Sequence, residues 1–337
     1  MSRILTGDRP TGPLHLGHYF GTLANRVRLQ GDGHELFVLI ADYQVIADRD
    51  HPGDLAAATR GLVLDYLACG LDPDETVVFA HSLVPELNQL MLPFLSLVSI
   101  AELSRNPTVK DEIRLAAGRT VSGLMLTYPV HQAADILFCK ADLVPVGRDQ
   151  LPHLEVTRSI ARRFNERYGT LFPLPEPLLG DVPLLLGLDG RKMSKSLGNA
   201  IALSDGRDLV AAKIRAARTD SERTITYEPD RRPEVANLLR IAALCCGSEP
   251  EALAAGIGDG GAGALKDAVV DSVIDLLRPM QARRAGFDDG DVRRVLGRGT
   301  RIANDVAAAT LAEVRSLMGF PEPDRAAATS TLSGGRR

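Results

Sequence analysis

The sequence predicts an α/β fold: a doubly wound parallel sheet of the Rossmann type, followed by a smaller all-helical domain. Up to about residue 200, short apolar strands alternate with helices, and after that point helical periodicity dominates. Almost unbroken apolar strands are typical of a parallel sheet, because helices cover both of its faces. We therefore expect a Rossmann-like domain at 1–200 with a helical insertion at about 105–140, a helical domain at 201–323 and a flexible tail at 324–337.

The first 100 residues are expected to supply three strands and the helices that follow them. Each strand is a run of aliphatic residues, and each helix has a turn or cap at its start. Gly70 is expected to end the second helix, since glycine tolerates the left-handed conformation found there. The expected elements are strands at 3–6, 35–40 and 76–80 and helices at about 16–30, 54–69 and 85–100.

The rest of the chain is expected to complete the sheet and then to become helical. The segment 105–140 is helical in pattern, with a turn at Asn106 and Pro107, and prolines mark a loop at 173–177. The glycine-rich stretch 258–261 indicates a loop rather than a phosphate site, since no strand precedes it. The remaining expected elements are strands at 143–146 and 182–186 and helices at about 152–168, 208–218, 234–246, 262–284, 292–298 and 301–318.

Composition places the chain among soluble globular proteins. Of its 337 residues, 45% are hydrophobic and 24% are charged, and the formal net charge is −4. A nucleic-acid partner therefore has to be held by local basic patches. No apolar run approaches the roughly 18 residues of a membrane span, and a strand that begins by residue 4 leaves no room for a signal peptide. The cysteines lack zinc-site spacing, so we expect a cytoplasmic protein with no membrane partner and no protein-ligated metal.

The segment 3–21 has the pattern of a strand, a glycine-rich turn and a helix N-terminus. Free N–H groups in the first helical turn form a site for an anion such as a phosphate. His15 and His18 are three residues apart, which places both on one helix face beside that site. Gly17 between them lacks a side chain, so a flat ring or a sugar is able to approach the backbone. The alternative is a pair of surface histidines at a helix start.

The loop 192–196 contains two lysines, Lys192 and Lys195, between Gly190 and Gly198. Lysine is rare in this chain, because arginine occupies most of the basic positions. A compact ammonium group suits phosphate oxygens whose negative charge shifts during phosphoryl or nucleotidyl transfer. We interpret the loop as a mobile clamp on a polyphosphate, and the alternative is a solvated basic loop.

Two short motifs resemble the signatures of class I aminoacyl-tRNA synthetases. The segment 15–18 reads His-Leu-Gly-His and resembles the HIGH motif, and the segment 192–196 reads Lys-Met-Ser-Lys-Ser and matches the KMSKS motif at every position. The intervening sequence is similar to that of tryptophanyl-tRNA synthetases, and the resemblance covers about residues 3–320. The segments that carry it are 11–12, 128–137, 144–150, 155–158 and 163–168.

The resemblance implies a tryptophan–tRNA ligase. Such an enzyme activates L-tryptophan with ATP and Mg²⁺ to tryptophanyl-adenylate and pyrophosphate, and then transfers the aminoacyl group to tRNA(Trp). The resemblance also implies a homodimer in which one tRNA contacts both subunits, with Mg²⁺ held by the substrate phosphates and water. We expect the arginines of the last helices to contact the tRNA: Arg278, Arg283, Arg284, Arg293, Arg294, Arg298 and Arg301.

The same resemblance implies roles for individual residues. Asp135 is expected to accept the indole N–H, a donor that phenylalanine lacks, and Tyr128 and Gln150 are expected to hold the substrate α-ammonium group. Gln44 and Gln132 are expected in the same tryptophan pocket. Catalytic roles fall on His15, His18, Lys192 and Lys195, and ATP contacts on Arg9, Pro10, Thr11, Gly17, His18, Gly147, Arg148, Asp149, Val182, Lys192, Met193, Ser194, Lys195 and Ser196.

Three positions depart from the pattern of many bacterial tryptophanyl-tRNA synthetases. Arg9, Gln44 and Gln132 stand where those proteins have Gln, His and Met. Because tyrosyl-tRNA synthetases also carry Gln and Asp in a comparable segment, a tyrosyl-tRNA synthetase is one alternative. A non-charging synthetase paralogue with a binding or regulatory role is a second, and an HxGH nucleotidyl transferase that makes a cofactor adenylate is a third. The intact motifs argue against the second, and the lysine loop with its helical extension argues against the third.

Overall fold

Five parallel strands form one sheet in the part of the chain that the structure describes. The computed structural model describes residues 1–48, 51, 53–115, 121–147, 150–179, 185–194 and 197–321. Every neighbouring pair of strands is parallel, so the predicted doubly wound sheet is confirmed. The strands are β1 (Arg3–Asp8), β2 (Glu35–Ile40), β3 (Thr76–Ala80), β4 (Leu143–Val146) and β5 (Glu176–Leu179), in the order β3-β2-β1-β4-β5.

Helices cover both faces of this sheet. Along β2, Leu36, Val38 and Ile40 belong to one hydrophobic cluster, whereas Phe37 and Leu39 belong to a second cluster. Successive side chains of a strand point to opposite faces, and all five of these side chains are buried. Burial on both faces explains why the strand reads as an unbroken apolar run.

The helices connect the strands and then make up the C-terminal part of the chain. A π-helical turn, Tyr19–Leu23, joins the first two helices into one continuous segment. Within the described ranges, no helix is long and apolar enough to cross a membrane. The helices are α1 (Leu16–His18), α2 (Ala24–Gly31), α3 (Val45–Asp48), α4 (Leu55–Cys69), α5 (Glu86–Leu95), α6 (Ile100–Arg105), α7 (Pro107–Leu115), α8 (Gly123–Leu137), α9 (Leu151–Tyr168), α10 (Arg207–Arg215), α11 (Pro233–Cys246), α12 (Pro250–Ile257), α13 (Gly261–Ala285) and α14 (Asp289–Leu317), with 3-10 turns at His81–Leu83 and Gly258–Gly260.

The helix predicted at 85–100 is too long, because one helix ends before residue 100 and a second begins there. The first, α5, contains Pro93 and ends at Leu95. Ser99 then caps α6: its hydroxyl accepts from the N–H of Glu102 at 3.2 Å, and the Glu102 carboxylate accepts from the N–H of Ser99 at 2.9 Å. A reciprocal Ser–Glu pair of this kind is a strong N-terminal signal, and it outweighs the continuous apolar pattern.

The sheet ends at a strand, β5, where the sequence indicates a proline-rich loop. Leu178 pairs with Pro145 of β4, and the strand also contains Pro177, which has no N–H to donate. An edge strand tolerates proline because one of its sides needs no partner. The strand predicted at 182–186 falls mainly outside the described residues, and Leu186 forms only an isolated bridge with Lys192.

One long helix, α14, stands where two helices are predicted. The predicted break lies at Gly299, since glycine is a poor helix former. This glycine allows a close crossing instead: a β-carbon on it would lie 1.8 Å from the carbonyl oxygen of Val78 in β3. Ala303 and Ala307 of the same helix belong to the cluster that includes Phe79 of the sheet. Because helices from both sides of residue 200 share one core, the domain boundary there stays a prediction.

Candidate active site

A cavity of about 370 Å³ opens at the carboxyl ends of β1, β2 and β4. Ligands of open α/β sheets bind in this position, beside the point at which the strand order reverses. Arg9 and Gly147, two of the predicted ATP contacts, line the cavity. All five residues predicted for the tryptophan pocket line it as well, namely Gln44, Tyr128, Gln132, Asp135 and Gln150.

Asp135 contributes a buried carboxylate to this cavity from α8. Its side chain is 2% exposed. Oδ2 accepts a hydrogen bond from Nε2 of Gln44 at 2.8 Å, and Oδ1 lies 2.7 Å from Nδ1 of His81. A buried carboxylate needs polar partners, and these two contacts supply one for each of its oxygens.

Two stacked imidazoles lie next to this carboxylate. The rings of His81 and His131 have centroids 4.0 Å apart, and Nε2 of His131 lies 3.2 Å from Oδ1 of Asn88. Burial lowers the pKa of His81, but the charge and hydrogen bond of Asp135, together with the charge of Asp42, outweigh burial and raise it. Burial and the neighbouring His81 charge lower the pKa of His131. These shifts favour one imidazolium beside one neutral imidazole.

Tyr128 and His153 form a second polar pair in the cavity wall. The Tyr128 hydroxyl lies 2.5 Å from Nε2 of His153, and the two rings meet edge to face with centroids 4.9 Å apart. Both side chains are buried, and both line the cavity. His153 therefore fixes the position of the Tyr128 hydroxyl. Gln150 lies at the start of α9 in the same wall, where its N–H donates to the carbonyl oxygen of Gly147 at 3.0 Å.

A buried ion pair supports the carboxyl end of β1. Nη1 of Arg26 lies 2.5 Å from Oδ2 of Asp8, and the Tyr66 hydroxyl donates to the same oxygen at 2.8 Å. Arg26 also donates to the carbonyl oxygen of Gly7 and to Oγ1 of Thr6, at 3.2 and 3.1 Å. Burial on its own would raise the pKa of Asp8, but the Arg26 charge and the hydrogen bonds from Arg26 and Tyr66 lower it. The group fixes α2 onto β1 just before the glycine-rich turn.

The segment 15–18 begins α1 and lies against the chain that follows the lysine loop. The imidazole centroids of His15 and His18 are 3.7 Å apart, and the N–H of His15 donates to Nδ1 of His18 at 3.2 Å. The N–H of Leu16 donates to the carbonyl oxygen of Ile201 at 3.0 Å, and an antiparallel bridge joins His15 to Ala202. Backbone pairing therefore holds the start of α1 against the chain a few residues after the lysine loop.

Asn199 organises the lysine loop. Its Nδ2 donates to Oδ1 of Asp189 at 2.8 Å and to the carbonyl oxygen of Lys192 at 3.1 Å. Its Oδ1 accepts from the N–H of Ser194 at 2.8 Å. One buried amide thus fixes the backbone from 189 to 194 and leaves the Lys192 side chain exposed.

Gly17 marks a direct contact between the two segments. A β-carbon at this position would lie 3.0 Å from Cε1 of His15 and 3.3 Å from Sδ of Met193. Met193 is buried, so it anchors the loop beside the start of α1. The missing side chain leaves room for this approach, and the predicted adenine contact of Gly17 stays a prediction.

Several predicted ATP contacts lie near the glycine-rich turn. Arg9 is exposed and Pro10 is buried, and the N–H of Thr11 donates to the carbonyl oxygen of Arg9 at 2.8 Å. The roles assigned to these residues stay predictions. Five further residues with predicted ATP contacts lie outside the described residues: Arg148, Asp149, Val182, Lys195 and Ser196.

The arginines predicted to contact tRNA fall into two groups. Arg283 donates to the carbonyl oxygen of Ala68 at 2.8 Å, and Arg284 donates to Oδ1 of Asp65 at 2.9 Å. Arg298 donates to carbonyl oxygens of the segment before β3. These three side chains attach the C-terminal helices to the rest of the chain. The other four are exposed: Arg278, Arg293, Arg294 and Arg301.

Sequence reasoning missed four residues that shape the site: Arg26, His81, His153 and Asn199. A signal for His81 was present, because it directly follows β3, and polar groups in that position face the ligand crevice of an α/β sheet. Asn199 directly follows Gly198 at the end of the lysine loop. Arg26 and His153 stand on buried helix faces, where the periodicity predicts apolar residues, and their partners are visible only in three dimensions.

Comparison with known proteins agrees with this geometry. Residues 1–278 match the family model described as tRNA synthetases class I (W and Y). The tryptophan–tRNA ligase of Treponema pallidum (strain Nichols) is 43% identical over 337 residues, which cover 95% of this chain and 97% of that protein. The tryptophanyl-tRNA synthetase structure from Mycoplasma pneumoniae superposes with a TM-score of 0.83 at 31% identity, covering 95% of this chain and 98% of its own. The structure from Campylobacter jejuni, complexed with ADP and tryptophan, gives a TM-score of 0.83 at 28% identity, covering 94% and 100%. The chain belongs to the class I tryptophanyl-tRNA synthetases.

Proposed function

We propose that this chain charges tRNA(Trp) with L-tryptophan in two steps. The tryptophan carboxylate attacks the α-phosphorus of ATP, which gives tryptophanyl-adenylate and releases pyrophosphate. The terminal ribose hydroxyl of the tRNA then takes the aminoacyl group and AMP leaves. The observation that carries the proposal is the buried carboxylate of Asp135. It lies in a cavity that also reaches Thr22, on the helical segment that the histidine pair begins.

The cavity provides the contacts that a tryptophan side chain needs. Each oxygen of Asp135 takes one contact from the protein, and a carboxylate oxygen accepts two hydrogen bonds, so the group still accepts the indole N–H. Leu5 and Val144 line the same cavity and provide apolar surface for the ring. Tyr128 and Gln150 supply oxygen atoms for the α-ammonium group. A ring without an N–H leaves the remaining acceptor position of Asp135 unfilled in a buried site, and sites of this kind discriminate strongly.

The ATP half of the reaction depends on positioning and charge rather than on a covalent nucleophile. Lys192 and Lys195 stabilise the pyrophosphate oxygens, with Lys195 acting chiefly in the transition state. His15 and His18 assist from the helix N-terminus, where free N–H groups favour a phosphate. Two contacts support this assignment. The bridge between His15 and Ala202 holds the chain after the lysine loop against the start of α1, and Gly17 lies close to Met193 of the loop.

Mg²⁺ is proposed to be held by the phosphates of ATP and by water. Among the described residues, His81, His131 and Asp135 form one buried group with ligand atoms within 4.8 Å of one another. Two of these three are imidazoles, whereas Mg²⁺ prefers oxygen ligands. Gln44 and His81 also contact the carboxylate already. The group therefore does not fit Mg²⁺, which when bound to ATP neutralises charge on the leaving pyrophosphate.

ATP–pyrophosphate exchange with each of the twenty amino acids tests the proposal. Exchange with tryptophan alone supports it. Exchange with tyrosine instead would point to a tyrosyl-tRNA synthetase, because a phenol hydroxyl also donates to a carboxylate. No exchange with any amino acid would point to the non-charging paralogue. Aminoacylation of a tRNA(Trp) transcript then tests the second step.

Asp135→Asn is expected to lower kcat/KM for tryptophan in the exchange reaction about a hundredfold. The change removes a charge-assisted hydrogen bond to the indole, a contact of about 1.5–3 kcal/mol. The KM for ATP is expected to change less than about threefold, since the carboxylate contacts only the amino acid. Asp32→Asn is the control, because Asp32 is half exposed and paired with Arg28 on the surface. An effect confined to the ATP KM would contradict the role of Asp135.

We also propose that the chain forms a homodimer, in the cytoplasm, through the surface of α5 and α6. Leu92 of α5 and Ile100 of α6 are 72% and 73% exposed. Large apolar side chains exposed to this degree on adjoining segments are typical of an interaction surface.

Replacing both Leu92 and Ile100 with glutamate is expected to convert the dimer to a monomer in equilibrium sedimentation, since the charges cannot be buried in the interface. Leu209→Glu, at an exposed site on α10, is the control and should leave the dimer intact. A wild-type protein that sediments as a monomer would overturn the proposal.

The helical region 201–323 is proposed to bind the tRNA. Four exposed arginines, Arg278, Arg293, Arg294 and Arg301, provide positive charge for phosphate contacts, which dominate the affinity of proteins for nucleic acids. Two of them, Arg278 and Arg294, form surface ion pairs with Asp275 and Asp291, which a phosphate has to displace. Arg283, Arg284 and Arg298 already bond to backbone carbonyls or to Asp65. They hold this region against the rest of the chain and are not assigned to RNA contacts.

A further inference from the structure

We propose that His81 is a positioning residue that sets the selectivity of the cavity for a ring bearing an N–H group. Its Nδ1 atom holds the Asp135 carboxylate in one orientation as an acceptor. This inference rests on the proposed function, because it takes Asp135 as the group that accepts the indole N–H.

The geometry assigns one donor to each oxygen of the carboxylate. His81 Nδ1 lies 2.7 Å from Oδ1, and Gln44 Nε2 lies 2.8 Å from Oδ2. Neither the imidazole nor the carboxylate is more than 2% exposed, so water does not substitute for either contact. A close contact at Oδ1 and a hydrogen bond at Oδ2 together restrict the orientation of the carboxyl group in the cavity.

A fixed, ionised carboxylate accepts hydrogen bonds and donates none, whereas a protonated carboxyl group also donates. Whether the carboxyl group can donate a hydrogen bond therefore decides which rings the cavity prefers. An acceptor-only group takes a hydrogen bond from a ring N–H, and its remaining acceptor position stays unfilled when a ring without a donor enters. Nδ1 of His81 and Nε2 of Gln44 both face the carboxylate as nitrogen donors, and this arrangement suits a carboxylate that acts as an acceptor.

The surroundings of His81 favour its role as a donor. From α8, Asp135 contacts it and His131 stacks on it. From the end of β2, Asp42 contributes a negative charge and the Tyr43 ring meets it edge to face at 5.2 Å. From α5, Asn88 also raises the pKa of His81, and its Oδ1 lies 3.2 Å from Nε2 of the stacked His131. Burial lowers the pKa of His81, but the two carboxylates raise it by more. His81 therefore keeps its proton to a higher pH than an ordinary histidine does.

A metal ion is the other ligand that this group of side chains suggests, and the distances argue against it. The 2.7 Å contact between His81 and Asp135 is a hydrogen-bond distance. The Gln44 amide donates to the other oxygen, and a cation there would displace this donor. The cluster is therefore a hydrogen-bonded network that serves the carboxylate.

Two substitutions that introduce amide side chains of different length test the contact between His81 and Asp135. In His81→Asn the side-chain amide ends near the position of Nδ1, and in His81→Gln it extends to the position of Nε2. Both variants are neutral and polar and differ by one methylene group. Only asparagine is expected to keep a donor beside Oδ1 of Asp135.

The measurement is ATP–pyrophosphate exchange with tryptophan and with its benzothiophene analogue, in which sulfur replaces the ring N–H. His81→Gln and His81→Ala are expected to lower the preference for tryptophan at least about tenfold through the tryptophan KM, with kcat nearly unchanged. His81→Asn is expected to retain most of the preference. In the wild type, the tryptophan KM is expected to rise with pH through an ionisation above about 6.5, and this dependence should be absent from all three variants.

Asp135→Asn, measured in parallel, distinguishes the indole contact proposed for Asp135 from the positioning role proposed for His81. If it leaves the preference intact, the indole contact assigned to Asp135 is wrong and the inference falls with it. If it abolishes the preference while His81→Gln and His81→Ala retain it, only the role of His81 is overturned. Equal losses in His81→Asn and His81→Gln, with the wild-type pH dependence unchanged in both, would show that His81 acts through packing and would also overturn the inference.

Discussion

Arg26→Met is expected to lower the free energy of unfolding by about 3–5 kcal/mol. The substitution keeps a long unbranched side chain but removes the cation that contacts Asp8, whose Oδ2 also accepts a hydrogen bond from the Tyr66 hydroxyl. Because the Arg26 side chain is 1% exposed, water does not replace it, and a carboxylate is left buried without its partner. Urea denaturation followed by circular dichroism measures the change through the transition midpoint.

The neighbouring Arg28 provides the matched control. It pairs with Asp32 on the exposed side of α2, where both side chains are about half exposed or more. Arg28→Met is therefore expected to change stability by less than about 1 kcal/mol. The double variant Asp8→Leu with Arg26→Met should recover part of the loss, because it removes both charges. A loss at Arg26 no larger than the loss at Arg28 would contradict the structural importance of the buried pair.

The pH dependence of this loss of stability follows from the lowered pKa of Asp8. Its pKa in the folded protein lies below the ordinary value of 3.8, so the unfolded chain takes up the proton at the higher pH. The stability from the ion pair is therefore fully present above about pH 4 and is lost as the pH falls through the lower, folded pKa. The difference between wild type and Arg26→Met should accordingly shrink in acid.

The elements that sequence reasoning placed accurately are those whose signals are local. The predicted bounds of β2, β3 and β4 agree with the structure, because each strand is a buried apolar run between turn residues. The strand β5 was missed because Pro177 indicates a loop, and only pairing with β4 makes it a strand. Pairing between distant segments leaves no periodic pattern in the sequence.

The same limit applies to the site. Tyr128 and Asp135 were predicted because they stand in segments that resemble a known family, and Gln44 because it stands where many members of that family have His. The structure brings all three to the wall of one cavity. His81 and Arg26 act through a second side chain. His81 lies far from Asp135 in the chain, and Arg26 lies on a helix face that periodicity assigns to apolar contacts. A buried charged group is predictable only together with its partner, and the partner is known only from the fold.

Gly299→Ala is expected to lower the free energy of unfolding by at least about 3 kcal/mol. The new methyl group would lie 1.8 Å from the carbonyl oxygen of Val78, so α14 has to move away from β3 by more than about 1 Å to relieve the overlap. Such a shift opens the packing of Ala303 and Ala307 against the sheet, and protein cores tolerate it poorly. Urea denaturation again measures the loss.

Gly297→Ala, two residues away on the same helix, is expected to have the opposite sign. A β-carbon on Gly297 meets nothing within 4 Å, so alanine should stabilise α14 by up to about 1 kcal/mol through its higher helix propensity. If alanine had only a general effect on the helix, the free energy of unfolding would change in the same direction in both variants. Because β3 leads directly into His81, Gly299→Ala should also raise the tryptophan KM, whereas Gly297→Ala should not. Equal stability of the two variants would show that the close crossing of helix and strand does not determine the choice of glycine.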